Sequence, residues 1–487
     1  MSLKLFGRNT LIYAFGTVFS HGAAFLLIPI YTHWLTMDEY GMLATLLISN
    51  QFMIILMNLG MRISLVRFTA EFEGSHKMAG LLGSSLMINV IGGILVTGLT
   101  TTWLMPLFQR ALHCQNVFSL ILLNCFGAFA QSLFIHVISL FRARNQAMKF
   151  MYANSAAAAL MLLSTVIFLM VFHWGLKGVL IAQMIAYGIP FYVVVFDLVM
   201  KHDPWVSLRM MWRLLKFGVP LVAPQTAQSF MLAATLYLLS FYSDLQAVAI
   251  FSLGQKLAQI FSIILVTPFQ LAFQPYVFAN MDQPTIKQSM SKIFTYFILA
   301  SAFLALVLLL GIYLIFPWIA PAQYAPAYLL IICLLPMHVV IGIAHFGESL
   351  LNIVKKTYIT AAVILLCVAV SFVLNYRLIP SMSWYGAVLS LNISNLLIGI
   401  GLLSIGLGAF PLPLEWRKVF VALLSLALFL LSVSFVYEKN FLIFYTTNLV
   451  LASGVAMFLY WSHFFNQREL RFIFNTFAGK YWRRLVG

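Results

Sequence analysis

A chain of 487 residues in which 63% are hydrophobic and 8% charged is not a soluble globular protein. The net charge of +16 would point to nucleic acid in a soluble chain. Here the bases sit between apolar stretches of membrane-spanning length, so the charge reports topology instead and implies no nucleic-acid partner.

The apolar stretches predict an all-α integral membrane protein of about fourteen transmembrane helices. They run over residues 10–32, 40–61, 79–105, 117–141, 150–172, 176–199, 217–242, 247–279, 293–318, 327–353, 357–379, 384–408, 418–437 and 441–465. If Lys4 and Arg8 mark a cytoplasmic N-terminus, every even-numbered connection and the C-terminus also face inward. Those segments hold 23 of the 28 Lys and Arg, against seven acids. The outward connections hold four bases (Arg110, Lys177, Arg377, Lys439) and four acids (Asp38, Glu39, Asp244, Glu438), and so carry no net charge. Both termini are expected in the cytoplasm of a multi-pass inner-membrane protein, whose basic face favours anionic lipids.

The first apolar run, Leu11 to about Tyr31, is too long for a cleavable signal and lacks a small-residue cleavage site. Cys114, Cys125, Cys333 and Cys367 have no metal-ligand spacing and read as apolar packing residues. Met200–Lys216 is amphipathic: Trp205, Leu208, Met211, Trp212 and Leu215 alternate with Arg209, Arg213 and Lys216, as in a strip at the lipid headgroups. The tail from Arg468 to Arg484 mixes bases with Phe and Trp in the same manner.

An ungapped shift of 211 residues lays Phe6-Gly7 on Phe217-Gly218, Tyr31 on Tyr242, Tyr40 on Phe251 and Glu71 on Asp282. It pairs predicted helices 1 and 2 with 7 and 8 in the same orientation, as a six-helix duplication requires. The expected organisation is an N-lobe (1–216), a C-lobe (217–408) and an added helix pair with basic tail (409–487). The two parallel six-helix lobes would enclose a central cavity.

Lys256 is the sharpest candidate for chemistry. It falls about nine residues into the eighth predicted helix, roughly 13 Å deep. A charge at such depth costs about 2.5–3.5 kcal/mol and usually faces a cavity. Gln255 and Gln259 suit a hydrated face, whereas a lysine that snorkels outward, or that is neutral in a structural hydrogen bond, is the plain alternative. In the tenth predicted helix His338, His345 and Asn352 recur every seven residues, with Glu348 one turn from the latter two. They form either a proton-coupled gate or a helix–helix seam. Arg62 and Arg67 end the second predicted helix beside Asn58, where an anion would be collected; ordinary positive-inside anchoring is the alternative. Scattered amides, among them Asn50, Gln51, Asn124, Gln131, Gln225, Gln228, Gln270, Gln274, Asn392 and Asn395, line a sugar path or glue helices together. His21 and His136 are packed polar residues by default, and Pro190, Pro220, Pro224, Pro268, Pro275 and Pro336 mark hinges or static kinks.

The opening stretch carries a family likeness. Phe6-Gly7-Arg8-Asn9-Thr10 leads a helix ending Ile28-Pro29-Ile30-Tyr31. Leu35-Thr36-Met37-Asp38-Glu39-Tyr40-Gly41 then turns into a helix ending Asn58-Leu59-Gly60-Met61-Arg62 and Ile63-Ser64-Leu65-Val66-Arg67-Phe68. This resembles the polysaccharide-transporter branch of the multidrug/oligosaccharidyl-lipid/polysaccharide exporter superfamily, the Wzx-type flippases. The resemblance implies two six-helix lobes around a cationic cavity. It also implies transfer of undecaprenyl-diphosphate-linked oligosaccharide, such as an O-antigen or other surface polysaccharide repeat unit, to the periplasmic leaflet. Polysaccharide-assembly proteins are the partners it implies. The chain lacks the dense arginine set on the first two helices expected of the lipid II flippase branch.

No P-loop, metal-ligand cluster, nucleophile elbow or HExxH occurs, so no enzymatic activity and no cofactor are expected. A membrane glycan polymerase or ligase would need a larger outward loop than this chain offers. A cation-coupled multidrug antiporter of the same superfamily would place several carboxylates in its helices, and here Glu348 alone is well embedded. The expected mechanism is alternating access, with Na⁺, H⁺ or membrane potential left open as the coupling source.

Overall fold

The computed structural model describes residues 19–20, 22–114, 117–281, 283–437, 441–461 and 464. All regular structure among them is helical: α1 (22–34), α2 (Met37–Asn58), α3 (Met61–Phe72), α4 (Lys77–Thr102), α5 (Met105–Ala111), α6 (Phe118–Ala143), α7 (Ala147–Val166), α8 (Gly175–His202), α9 (Leu208–Gly218) and α10 (Val222–Tyr242). There follow α11 (Leu245–Phe261), α12 (Thr267–Ala279), α13 (Ile286–Ile319), α14 (Pro326–Ile353), α15 (Thr357–Met382), α16 (Trp384–Ala409), α17 (Trp416–Val436) and α18 (Phe441–Trp461). Twelve helical spans among the described residues are long and apolar enough to cross a membrane. They match predicted helices 2–6 and 8–14. The expected fourteen is not reached, because predicted helix 1 is described only from residue 19 and in predicted helix 7 only Ser229–Tyr242 is described throughout, side chains included. The basic tail and His21 lie outside the described residues.

Local chemistry accounts for the helix ends. Thr36 and Glu39 form a reciprocal cap: the Thr36 hydroxyl accepts from the Glu39 N–H at 3.2 Å, and the Glu39 carboxylate accepts from the Thr36 N–H at 3.0 Å. Helix α2 therefore begins at Met37, three residues before the predicted start. Its predicted end at residue 61 is also displaced. Leu59 and Gly60 take positive φ (46° and 76°), and the chain restarts as α3. A Cβ at Gly60 would collide with the backbone of Gly218, so the break and the close approach of α9 both require glycine. A π-turn over Ser262–Val266 precedes Pro268; it accommodates the missing N–H and the ring, so α11 continues into α12.

The chain falls into two compact units. One holds residues 1–256, 316–330 and 358–398; the other holds 257–315, 331–357 and 399–487. These units do not follow the 216 and 408 boundaries; the lobe division is a statement about duplication and stands as a proposal.

In the first unit the turns that the charge pattern sends outward meet one another. The Thr32 hydroxyl donates to Ile319 O, Trp34 stacks on His173, His113 bonds to Ser240 O, and Ser243 donates to Ser383. The turns sent inward also meet. Ser207 N donates to Ser84 Oγ, Arg213 pairs with Glu71 at 2.6 Å and Arg144 with Glu73 at 2.9 Å. The expected amphipathic strip is α9: Leu214 is buried, while Leu208, Arg209, Trp212, Arg213 and Lys216 are exposed. Trp205 lies on the small surface that Gly80 and Gly83 leave on α4.

In the second unit α13 carries the added pair. Tyr313 stacks on Phe444 with centroids 3.9 Å apart, Tyr445 donates to Leu310 O, and Phe303 meets Phe429 edge-on. Ser432 and Asn448 join α17 to α18.

Candidate functional site

Lys256 lies in α11, about 16 Å along the helix from its start at Leu245. Its ammonium sits 5.2 Å from the centre of the Tyr40 ring. The ring quadrupole attracts the cation, and no carboxylate among the described residues pairs with it. Tyr40 is fully buried and meets Tyr324 edge-on at 5.9 Å. Neither phenol has a hydrogen-bond partner among the described residues, and the same is true of Gln255 Oε1 and Ser252 Oγ. The cation therefore faces a buried ring pair whose two phenols are both unpartnered among the described residues. Gln255 and Lys256 are half-buried, and Gln259, one turn further on, is exposed.

Helix α2 brings Tyr40 to this point through Gly41. A Cβ there would overlap the Leu245 carbonyl, so glycine lets the starts of α2 and α11 touch. About two turns beyond, Ser49 shares a 2.6 Å hydrogen bond with Tyr237 of α10.

The predicted arginines occupy another station. Tyr40 and Asn58 are about 27 Å apart along α2, so Arg62 and Arg67 lie far from Lys256. Both arginines are exposed on α3. Asn58 does not hold the Arg62 guanidinium. Its Oδ1 accepts the backbone N–H of Arg62 at 2.8 Å, which caps α3 after the break.

The stripe on α14 belongs to the second unit. His338 is buried, shares a 2.8 Å hydrogen bond with Ser262 in the π-turn, and has its Nε2 unpartnered among the described residues. His345 Nδ1 lies 3.1 Å from Glu348 Oε2, and both side chains are partly exposed. Asn352 is half-buried one turn on.

Of the predicted amides, Asn50 is buried with both amide atoms unpartnered among the described residues; Gln131 pairs with Gln183, and Asn124 donates to Leu46 O. Asn392 and Asn395 turn back onto their own helix, Gln51 is exposed, and Gln270 and Gln274 are half-buried. The side chains of Gln225 and Gln228 lie outside the described residues. His136 is buried against Ser85. The four cysteines form no disulfide among the described residues.

Sequence reasoning missed two features. The first is the Tyr40–Tyr324 pair, since single tyrosines in apolar helices look like belt residues. The second is a buried knot where Asn375 donates to Thr235 at 2.9 Å, Ser390 donates to Ser371 O, and Ser394 Oγ and Asn375 Oδ1 are unpartnered among the described residues. The i, i+4 spacing of Ser371 with Asn375 and of Ser390 with Ser394 was the available signal.

Comparison with known proteins places this geometry. The fold is similar to the lipid II flippase MurJ in its inward closed conformation, with a TM-score of 0.72 at 12% identity over 93% of this chain and 100% of that one. It is also similar to an inward-facing multidrug resistance MATE family transporter of the MOP superfamily (TM-score 0.59, 14% identity, 87% and 96% covered). The Vibrio cholerae MATE transporter VcmN in its bent form matches with a TM-score of 0.53 at 16% identity over 88% and 98%. No curated protein matches by sequence. Residues 6–281, more than half of the chain, match the family model described as polysaccharide biosynthesis protein. The chain therefore belongs to the polysaccharide biosynthesis protein family and has the multi-pass helical fold shared by MurJ and the MATE transporters.

Proposed function

We propose that the protein is a Wzx-type flippase that moves undecaprenyl-diphosphate-linked oligosaccharide from the cytoplasmic to the periplasmic leaflet by alternating access. The single observation that carries this reading is Lys256, an embedded cation with no carboxylate partner among the described residues. An unneutralised cation favours anionic cargo, and a lipid diphosphate is anionic. Membership of a polysaccharide family supports a glycan head, and similarity to a lipid II flippase supports a lipid-linked cargo.

In this scheme Arg62 and Arg67 collect the diphosphate at the cytoplasmic surface and Lys256 takes it at depth, with Gln255, Gln259 and Asn58 near the path. The contacts Thr32–Ile319 and Tyr40–Tyr324 seal the outward side and break when the N-lobe (1–216) and C-lobe (217–408) rock. The pair His345–Glu348, with His338 and Asn352, is the proposed coupling element, served by Na⁺ or H⁺. The protein sits in the inner membrane with both termini cytoplasmic, binds anionic lipids through its basic face and works beside polysaccharide-assembly proteins.

The second reading is a cation-coupled multidrug antiporter, which the similarity to MATE transporters favours. Lipid-linked sugar analysis in a strain lacking the protein separates the two. Accumulation in the cytoplasmic leaflet is the expected result; unchanged lipid-linked sugars with new drug sensitivity would overturn it. Full complementation by Lys256→Ala would remove Lys256 from the cargo path.

A further inference from the structure

A hollow of about 670 Å³ lies above the outward seal, between the α1–α2 turn, the start of α11 and the α13–α14 turn. That volume is within the range of small-molecule sites. Trp34, His33, Asp38, Gln246, Ile250 and Gln323 are on its wall. Their state is informative. The amides of Gln246 and Gln323 and the carboxylate of Asp38 enter no hydrogen bond or ion pair among the described residues, whereas Glu39 beside them is committed to the α2 cap. Trp34 is stacked on His173 at 5.7 Å and 23°, which fixes the indole, yet it stays 44% exposed. His33 donates from Nδ1 to Pro29 O, a carbonyl that can only accept, so a neutral His33 keeps Nε2 as an acceptor.

We propose that this hollow is a saccharide-binding site on the outward face, and that it takes neutral or amino-bearing sugars of the translocated glycan. The inference rests on the outward orientation and glycan cargo proposed above. Sugars present C–H faces that pack on an indole and hydroxyl pairs that amides and carboxylates can bridge. No Lys or Arg is on the wall, so phosphate has no partner there. Charge thus divides the cargo: cations below the seal suit the diphosphate, and uncharged and acidic groups above it suit the sugar. Asp38 lies two residues before Tyr40 of the seal and Gln323 directly before Tyr324, and the walls come from elements on both of its sides. A glycan bridging them favours the closed form and, added from outside, slows transport.

The test uses the full-length protein in nanodiscs against a panel of neutral, amino-bearing and sulfated oligosaccharides. Neutral or amino-bearing members should bind and sulfated ones should not. Trp34→Ala and Gln323→Ala should each weaken binding about tenfold with unchanged thermal melting. Asp38→Asn should remove any preference for amino sugars. Absence of saccharide binding, or equal binding by Trp34→Ala, would overturn the site. Saccharide binding in a protein whose deletion leaves lipid-linked sugars unchanged would support the site while refuting the flippase. Leaflet accumulation without saccharide binding would refute the site alone.

Discussion

The ammonium of Lys256 and the ring of Tyr40 face each other 5.2 Å apart, and the phenol of that ring has no hydrogen-bond partner among the described residues. A cation held by a quadrupole rather than a carboxylate stays available to an incoming anion. Tyr40→Phe keeps the ring and should retain transport. Tyr40→Leu removes an attraction of about 0.5–2 kcal/mol and should weaken cargo engagement from a few-fold to about thirtyfold. Lys256→Ala should abolish complementation while Lys256→Arg keeps part of it. Flipping of a lipid-linked glycan by reconstituted protein measures all four.

Gly41 lets the outward ends of α2 and α11 touch, because a Cβ would enter the Leu245 carbonyl. Gly41→Leu should therefore keep that end from closing. In this background a cysteine at Ile250 should label faster with a membrane-impermeant maleimide than in the parent. Equal labelling would show that the close approach does not control access.

Asn58 also acts on stability. Its side chain caps α3 through the Arg62 N–H, so Asn58→Ala should cost about 0.5–2 kcal/mol while Asn58→Ser costs less. Arg62→Ala leaves that cap intact and should lower transport without lowering the melting temperature. Thermal melts of the purified variants separate the two roles.

Ser262 satisfies the one ring nitrogen of buried His338 that has a partner among the described residues. Ser262→Ala strands the second and should destabilise by about 1–3 kcal/mol. Adding His338→Leu in that background should recover much of the loss, since removing both partners of a buried polar pair is far less costly than removing one. A double-mutant cycle on melting temperatures checks the sign.

The motif residues that betray the family have separate structural duties. Thr36 and Glu39 cap α2, Tyr40 holds Lys256, Gly41 admits α11, and Gly60 turns the chain into α3. Of these contacts only the cap is local, since its two members lie three residues apart. The partners of Tyr40 and Gly41, Lys256 and Leu245, lie more than two hundred residues away.

What the sequence by itself determined are the spans, their alternation and the sign of the buried charge. A helix in hydrocarbon must satisfy its own backbone, so apolar length and the placement of Lys and Arg write each span locally. The tertiary structure alone decided which polar groups meet. It parted Arg62 from Lys256, turned Asn58 into a cap, paired Tyr40 with Tyr324 and opened the hollow beside them. The physical reason is that helices approach closely only where small residues allow, and that contact depends on the shapes of two distant segments at once.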